Sequence, residues 1–159
     1  MDLLRRKPQR LKSFDYATEK YYFVTICTMD KQNLFGKVIN QNDTVKMDYS
    51  LIGKIALRHL INIENHFDGI KIDKYVVMPN HIHIIVTIGC NATSERSRPF
   101  PTLSTVIGLY KSGVSREVGC KIWQKSFHDH IIRNRNDYLK IWEYIENNPL
   151  KWELDCYCN

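Results

Sequence analysis

The chain has 159 residues, 43% of them hydrophobic and 25% charged, which suits a single soluble globular domain and argues against two. Lys plus Arg outnumber Asp plus Glu by 23 to 17, a formal charge of +6 that favours anionic partners without by itself naming nucleic acid. No apolar run is long enough to cross a bilayer, and no apolar run behind the charged start resembles an export signal, so a cytoplasmic protein with no membrane partner is expected.

Five cysteines (Cys27, Cys90, Cys120, Cys156 and Cys158) are scattered, and no Cys-x-x-Cys pair occurs. They read as reduced thiols. Residues 1–12 carry Arg5, Arg6, Lys7, Arg10 and Lys12 and read as a basic flexible arm, either solvated or gripping phosphates. Residues 13–159 read as one domain.

Tyr21 to Thr28 is apolar on both faces, as a central buried strand requires. Leu34 to Ile39 is expected to extend it or pair with it, and Asn40-Gln41-Asn42-Asp43 is a turn. Asp48 or Ser50 caps a helix running to about His66, with Leu51, Ile52, Ile55, Ala56, Leu60 and Ile63 on its apolar face. After the Asp68-Gly69 break, Ile70 to Val77 forms a strand, and Pro79-Asn80 turns it back into an antiparallel strand from His81 to Ile88.

Extended chain alternates its side chains between two faces. His81 and His83 therefore point one way, and Ile82, Ile84 and Val86 the other. Two imidazoles so placed can share a metal ion, or can simply be polar residues on a strand face.

Residues 91–101 are polar and proline-punctuated, a loop. Leu103 to Val118 is a helix packed through Leu103, Val106, Ile107, Tyr110 and Val114, with Gly119 at its end. Ile122 to Ile132 reads as a strand or extended run, with Trp123 and Phe127 as core. Its second His-x-His, His128 and His130, reads as surface or phosphate contact. Asn134 caps a last helix that packs through Tyr138, Ile141, Trp142 and Ile145 and is ended by Pro149. Tyr144 and Asn148, four apart, share one side of that helix and face a neighbour or a cleft. The sum is an α+β fold, a ferredoxin-like sandwich of an antiparallel sheet packed with helices.

Four blocks, in order, resemble the REP-associated tyrosine transposase branch of the single-tyrosine HUH transposases. They are Tyr22-Phe23-Val24-Thr25-Ile26-Cys27-Thr28, Val77-Met78-Pro79-Asn80-His81-Ile82-His83, the stretch from Ile122 to Asn134, and Tyr144-Ile145-Glu146-Asn147-Asn148-Pro149. The resemblance covers the chain from about Arg10 to Trp152. It implies the HUH endonuclease fold, with Tyr144 as nucleophile and His81, His83 and Asn148 as metal ligands. Insertion-sequence relatives usually carry glutamine at the position of Asn148, and the REP-associated branch tolerates asparagine. Tyr110, where relatives often have phenylalanine, reads as packing and stays the rival nucleophile.

The implied activity is metal-dependent nicking and rejoining of single-stranded DNA beside hairpins through a 5′-phosphotyrosine. The alternative is a domesticated hairpin binder that no longer cuts. Mixed nitrogen and oxygen ligation admits Mg²⁺ or Mn²⁺. Candidate phosphate contacts are Arg5, Arg6, Arg10, Lys111, Arg116, Lys121, Lys125 and Arg133. Both a monomer and a homodimer are compatible with the family.

Overall fold

The chain is built around β5 (His81–Ile88), whose eight residues are all buried. A computed structural model describes residues 20–89 and 99–152. β5 lies between β4 (Ile70–Val77) and β1 (Lys20–Cys27), and β6 (His128–Ile132) adds to the far side of β1. Every pairing in this four-stranded sheet is antiparallel. The register sets Thr25 opposite His83 and Cys27 opposite His81.

Helices cover both faces. The even-numbered residues Tyr22, Val24 and Ile26 of β1 and Ile82, Ile84, Val86 and Ile88 of β5 belong to one core. It also takes in residues of α1 (Leu51–Ile61) and α3 (Leu103–Val118), such as Ala56, Leu60, Val106 and Ile107. On the other face, Phe23, Ile85 and Ile132 pack with Tyr138, Ile141 and Ile145 of α4 (Arg135–Glu146). This is a mixed α/β fold of an antiparallel sheet packed against helices.

Local chemistry accounts for the helix ends. The Ser50 hydroxyl accepts from the Gly53 amide at 3.0 Å and caps α1, which settles the choice between Asp48 and Ser50. Gly53 itself lets the helix approach the Phe35 carbonyl so closely that a Cβ there would lie 2.1 Å from its oxygen. Gly119 takes the left-handed conformation (φ 85°) that closes α3.

Three expectations about elements change. Leu34 to Ile39 does not join the main sheet. Instead β2 (Gly36–Gln41) pairs with β3 (Thr44–Tyr49) in a separate hairpin, across a turn in which Asn42 and Asp43 take positive φ. The helix expected to reach His66 breaks at Asn62, and α2 (Ile63–His66) follows. Within Ile122 to Ile132, only β6 is strand, with Trp123 making an isolated bridge to Thr28.

β4 contains a bulge between Ile72 and Lys74. Bulges break the alternation of faces. Two consecutive side chains consequently reach α4. The Tyr138 hydroxyl donates to Asp73 Oδ2 at 3.2 Å, and the Lys74 ammonium pairs with Glu146 and lies 4.7 Å above the Trp142 ring. Trp142, expected on the packing face, is instead 36% exposed beneath that ammonium. Burying Ile145 contributes about 1.5–3 kcal/mol. A partly exposed ion pair contributes about 1 kcal/mol or less. Apolar contact therefore docks α4, and the polar contacts set its orientation.

Candidate active site

His81 and His83 are buried on the α4 face of β5, with ring centroids 4.5 Å apart. Each uses Nδ1 for a neighbour. His81 Nδ1 donates to Asn80 Oδ1 at 2.8 Å, and His83 Nδ1 lies 2.8 Å from Thr25 Oγ1. With the proton on Nδ1 in both rings, the Nε2 lone pairs are the ones turned to the site. Second-shell contacts of this kind fix tautomer and ring orientation in metal-binding histidines. Burial first, and the adjacent His81 second, pushes the His83 imidazole well below the ordinary histidine range. It is therefore neutral at pH 7, as a ligand must be.

Tyr144 comes to this pair from α4. Its hydroxyl lies 3.3 Å from His83 Nε2, and its ring centroid 5.2 Å from the imidazole. Phe23 packs edge-on to the same phenol at 6.1 Å and also contacts His83 at 5.2 Å. The phenol is 40% exposed, open to an incoming strand.

Asn148 lies beyond the helix rather than on it, since α4 ends at Glu146. Pro149 disfavours the helical conformation at the residue before it. The Asn148 amide donates to the Ile145 carbonyl at 3.3 Å in the closing turn, and its side chain is buried, at 2% exposure. Trp152 stacks on His81 at 5.9 Å. In sequence, Asn148 falls midway between Tyr144 and Trp152, whose rings rest on His83 and His81.

The donor set suits a divalent cation. Two imidazoles and a carboxamide would supply mixed nitrogen and oxygen ligation without negative charge. Among the described residues no group of three or more His, Cys, Asp and Glu gathers around one point.

No family model matches the sequence. An uncharacterised protein of Haemophilus influenzae is 35% identical over 94% of this chain and 91% of its own length. A REP-associated tyrosine transposase of Escherichia coli K12 is 35% identical over 98 residues, 60% of this chain. A solved REP-associated tyrosine transposase bound to a REP hairpin shares the fold, with a TM-score of 0.65 at 21% identity over 90% of this chain and 74% of its own.

The chain is similar to REP-associated tyrosine transposases, in sequence over 98 residues and in fold. It spans about half the length (53%) of the Escherichia coli relative.

The remaining candidate residues fall in different places. Tyr110 lies in the core on the opposite face of the sheet, where its hydroxyl donates to the Ala56 carbonyl at 3.0 Å. Burial raises its pKa far above the ordinary tyrosine value. It has the packing position expected of it. Lys111 donates to the carbonyls of Gln124 (2.6 Å) and Ser126 (3.5 Å) and braces that segment against α3. Trp123 and Phe127 are core, as expected. Arg116, Lys121, Lys125 and Arg133 are exposed. His130 pairs with Asp137 at 2.8 Å. Arg5, Arg6 and Arg10, and with them the arm, lie outside the described residues, as do Cys90, Cys156 and Cys158. No helix among the described residues is long and apolar enough to cross a membrane.

Thr25, Phe23 and Trp152 were not legible as site residues. Thr25 becomes one only through the pairing of β1 with β5. Asn80 had a local signal, since it adjoins His81.

Proposed function

We propose that the chain is a metal-dependent single-strand DNA endonuclease and strand transferase of the ferredoxin-like HUH type. It acts beside DNA hairpins, with Tyr144 as the nucleophile. The observation that carries this reading is the 3.3 Å contact between the Tyr144 hydroxyl and His83 Nε2.

His81, His83 and Asn148 would hold Mg²⁺ or Mn²⁺. A cation there supplies charge neutralisation and orientation to the scissile phosphate. The rest is done by the chain. A phenol with a pKa near 10 is a weak nucleophile at pH 7, so alignment matters. Phe23 and His83 hold the Tyr144 ring, and docking of α4 fixes its height above the sheet. The Tyr144 oxygen bonds to phosphorus as the bond from phosphorus to the 3′ oxygen breaks. The phenolic proton passes to water at the exposed edge, and the departing oxygen gains one to become a 3′-hydroxyl. One phosphodiester is exchanged for another, so a 3′-hydroxyl can later reverse the step without ATP.

Hairpin DNA is the proposed partner because the solved relative is bound to a REP hairpin and the net charge of +6 favours a polyanion. Phenol and imidazoles come from one chain, so a monomer suffices for this chemistry.

The test is incubation of the protein with pooled single-stranded genomic hairpins and Mn²⁺, followed by denaturing electrophoresis. A protein–DNA adduct that disappears with chelator is expected. Binding without any adduct would favour a non-cleaving hairpin binder.

A further inference from the structure

A second feature of the α4 face takes no part in the chemistry above. A cavity of about 360 Å³ opens at the start of α4, lined by Tyr21, Asp73, Ile132, Arg133, Arg135 and Tyr138 among others. We propose that it is a base-reading subsite for an unpaired guanine of the DNA strand. The proposal rests on the DNA-acting reading and goes beyond it by naming the base and its reader.

The walls are aromatic. The Tyr21 and Tyr138 rings lie 5.7 Å apart at 83°, so the pair offers a ring face and a ring edge to a flat guest. Stacking on aromatic rings is how proteins hold single-stranded bases. The floor carries one carboxylate. Asp73 lies at the β4 bulge, and its side chain is only 11% exposed. Oδ2 accepts from Tyr138, and Lys71 stands 3.7 Å from Oδ1 from a largely exposed position. A carboxylate has about four lone-pair sites, so acceptor capacity remains on both oxygens.

Guanine alone among the DNA bases presents two adjacent N–H donors, N1 and N2, on its pairing edge. A carboxylate accepts both. Arg133 and Arg135 are exposed at the rim and can donate to O6 and N7, the acceptors that arginine commonly reads. Adenine, cytosine and thymine each leave part of this set unmatched.

The position fits the proposed reaction. Tyr138 and Tyr144 are six residues apart on one helix, about 9 Å along its axis. A strand crosses that distance in about three nucleotides at stacked spacing. The subsite would thus read a base about three nucleotides from the scissile phosphate.

The test measures binding by fluorescence anisotropy in EDTA, where no cleavage intervenes. The probes are short thymidine tracts carrying one guanine, adenine, cytosine or hypoxanthine. Wild type should prefer guanine over adenine on the order of tenfold, and hypoxanthine, which lacks the N2 amine, should lose most of that preference. Asp73→Asn, a near-isosteric change, should move the preference toward adenine, which a carboxamide pairs bidentately. The exposed pair Arg133→Ala with Arg135→Ala should reduce it even if Asp73→Asn fails to fold. Indifference of wild type to the base would overturn the proposal. So would a guanine preference that survives Asp73→Asn in a folded protein, or one untouched by the double arginine change. These outcomes are independent of Tyr144: adduct formation can fail while base preference holds, and the reverse.

Discussion

Tyr144 and His83 are 61 residues apart in sequence, yet their polar atoms lie 3.3 Å apart. The contact joins the helix on one face of the sheet to its most buried strand. It brings the proposed nucleophile to the proposed ligand pair within one chain.

Thr25→Val should weaken Mn²⁺ binding by about 10- to 100-fold, the usual cost of losing a second-shell partner. The change keeps volume and burial and removes only the acceptor beside His83 Nδ1. Titration calorimetry reads it directly. Unchanged affinity would mean that the hydroxyl does not orient the imidazole.

Asn148→Ala should weaken Mn²⁺ binding by on the order of tenfold, equivalent to about 1.4 kcal/mol. Asn148→Asp should restore binding or tighten it, because a carboxylate suits hard divalent ions. Equal affinity in all three proteins would remove Asn148 from the site.

Tyr110→Phe should cost about 0.5–1.5 kcal/mol of stability, the worth of a buried hydrogen bond, here to the Ala56 carbonyl. Adduct yield should be unchanged, since Tyr110 lies on the far face of the sheet. Loss of the adduct in a folded Tyr110→Phe protein would reopen its candidacy.

Much of this arrangement was legible locally. The alternation from His81 to Val86 is a property of six consecutive residues, and both its faces were readable without a partner strand. The helix from Leu103 to Val118 carried its own periodicity and its own glycine stop. What stayed hidden depends on distant pairing. Thr25 faces His83 only through the register of β1 on β5. Asp73 and Lys74 both reach α4 only because of a bulge, and a bulge leaves no mark in the hydrophobic pattern. The strand from Thr44 to Tyr49 alternates, but Lys46 and Asp48 leave it a weak apolar face, and its hairpin stands outside the main sheet. Asn148 shared the periodicity of the helix, yet the proline after it ends the helix sooner.

Tyr138 gives a pH prediction. Burial first, and the Asp73 charge second, pushes its pKa up to about 12. A tyrosine whose folded pKa is raised stabilises the fold fully below its unfolded value, near 10. That contribution is lost as pH rises from about 10 through about 12. Ultraviolet titration should show one phenol ionising near 12, and Asp73→Asn should lower its midpoint part of the way toward 10. A Tyr138 midpoint near 10 in wild type would contradict the contact with Asp73.

The most direct measurement is mass spectrometry of the peptide that carries the nucleotide after reaction with a hairpin substrate and Mn²⁺. The account predicts a phosphotyrosine-linked nucleotide on Tyr144, and no adduct from a Tyr144→Phe protein that still binds DNA. A nucleotide on Tyr110 or any other residue, or full adduct yield from Tyr144→Phe, would contradict it.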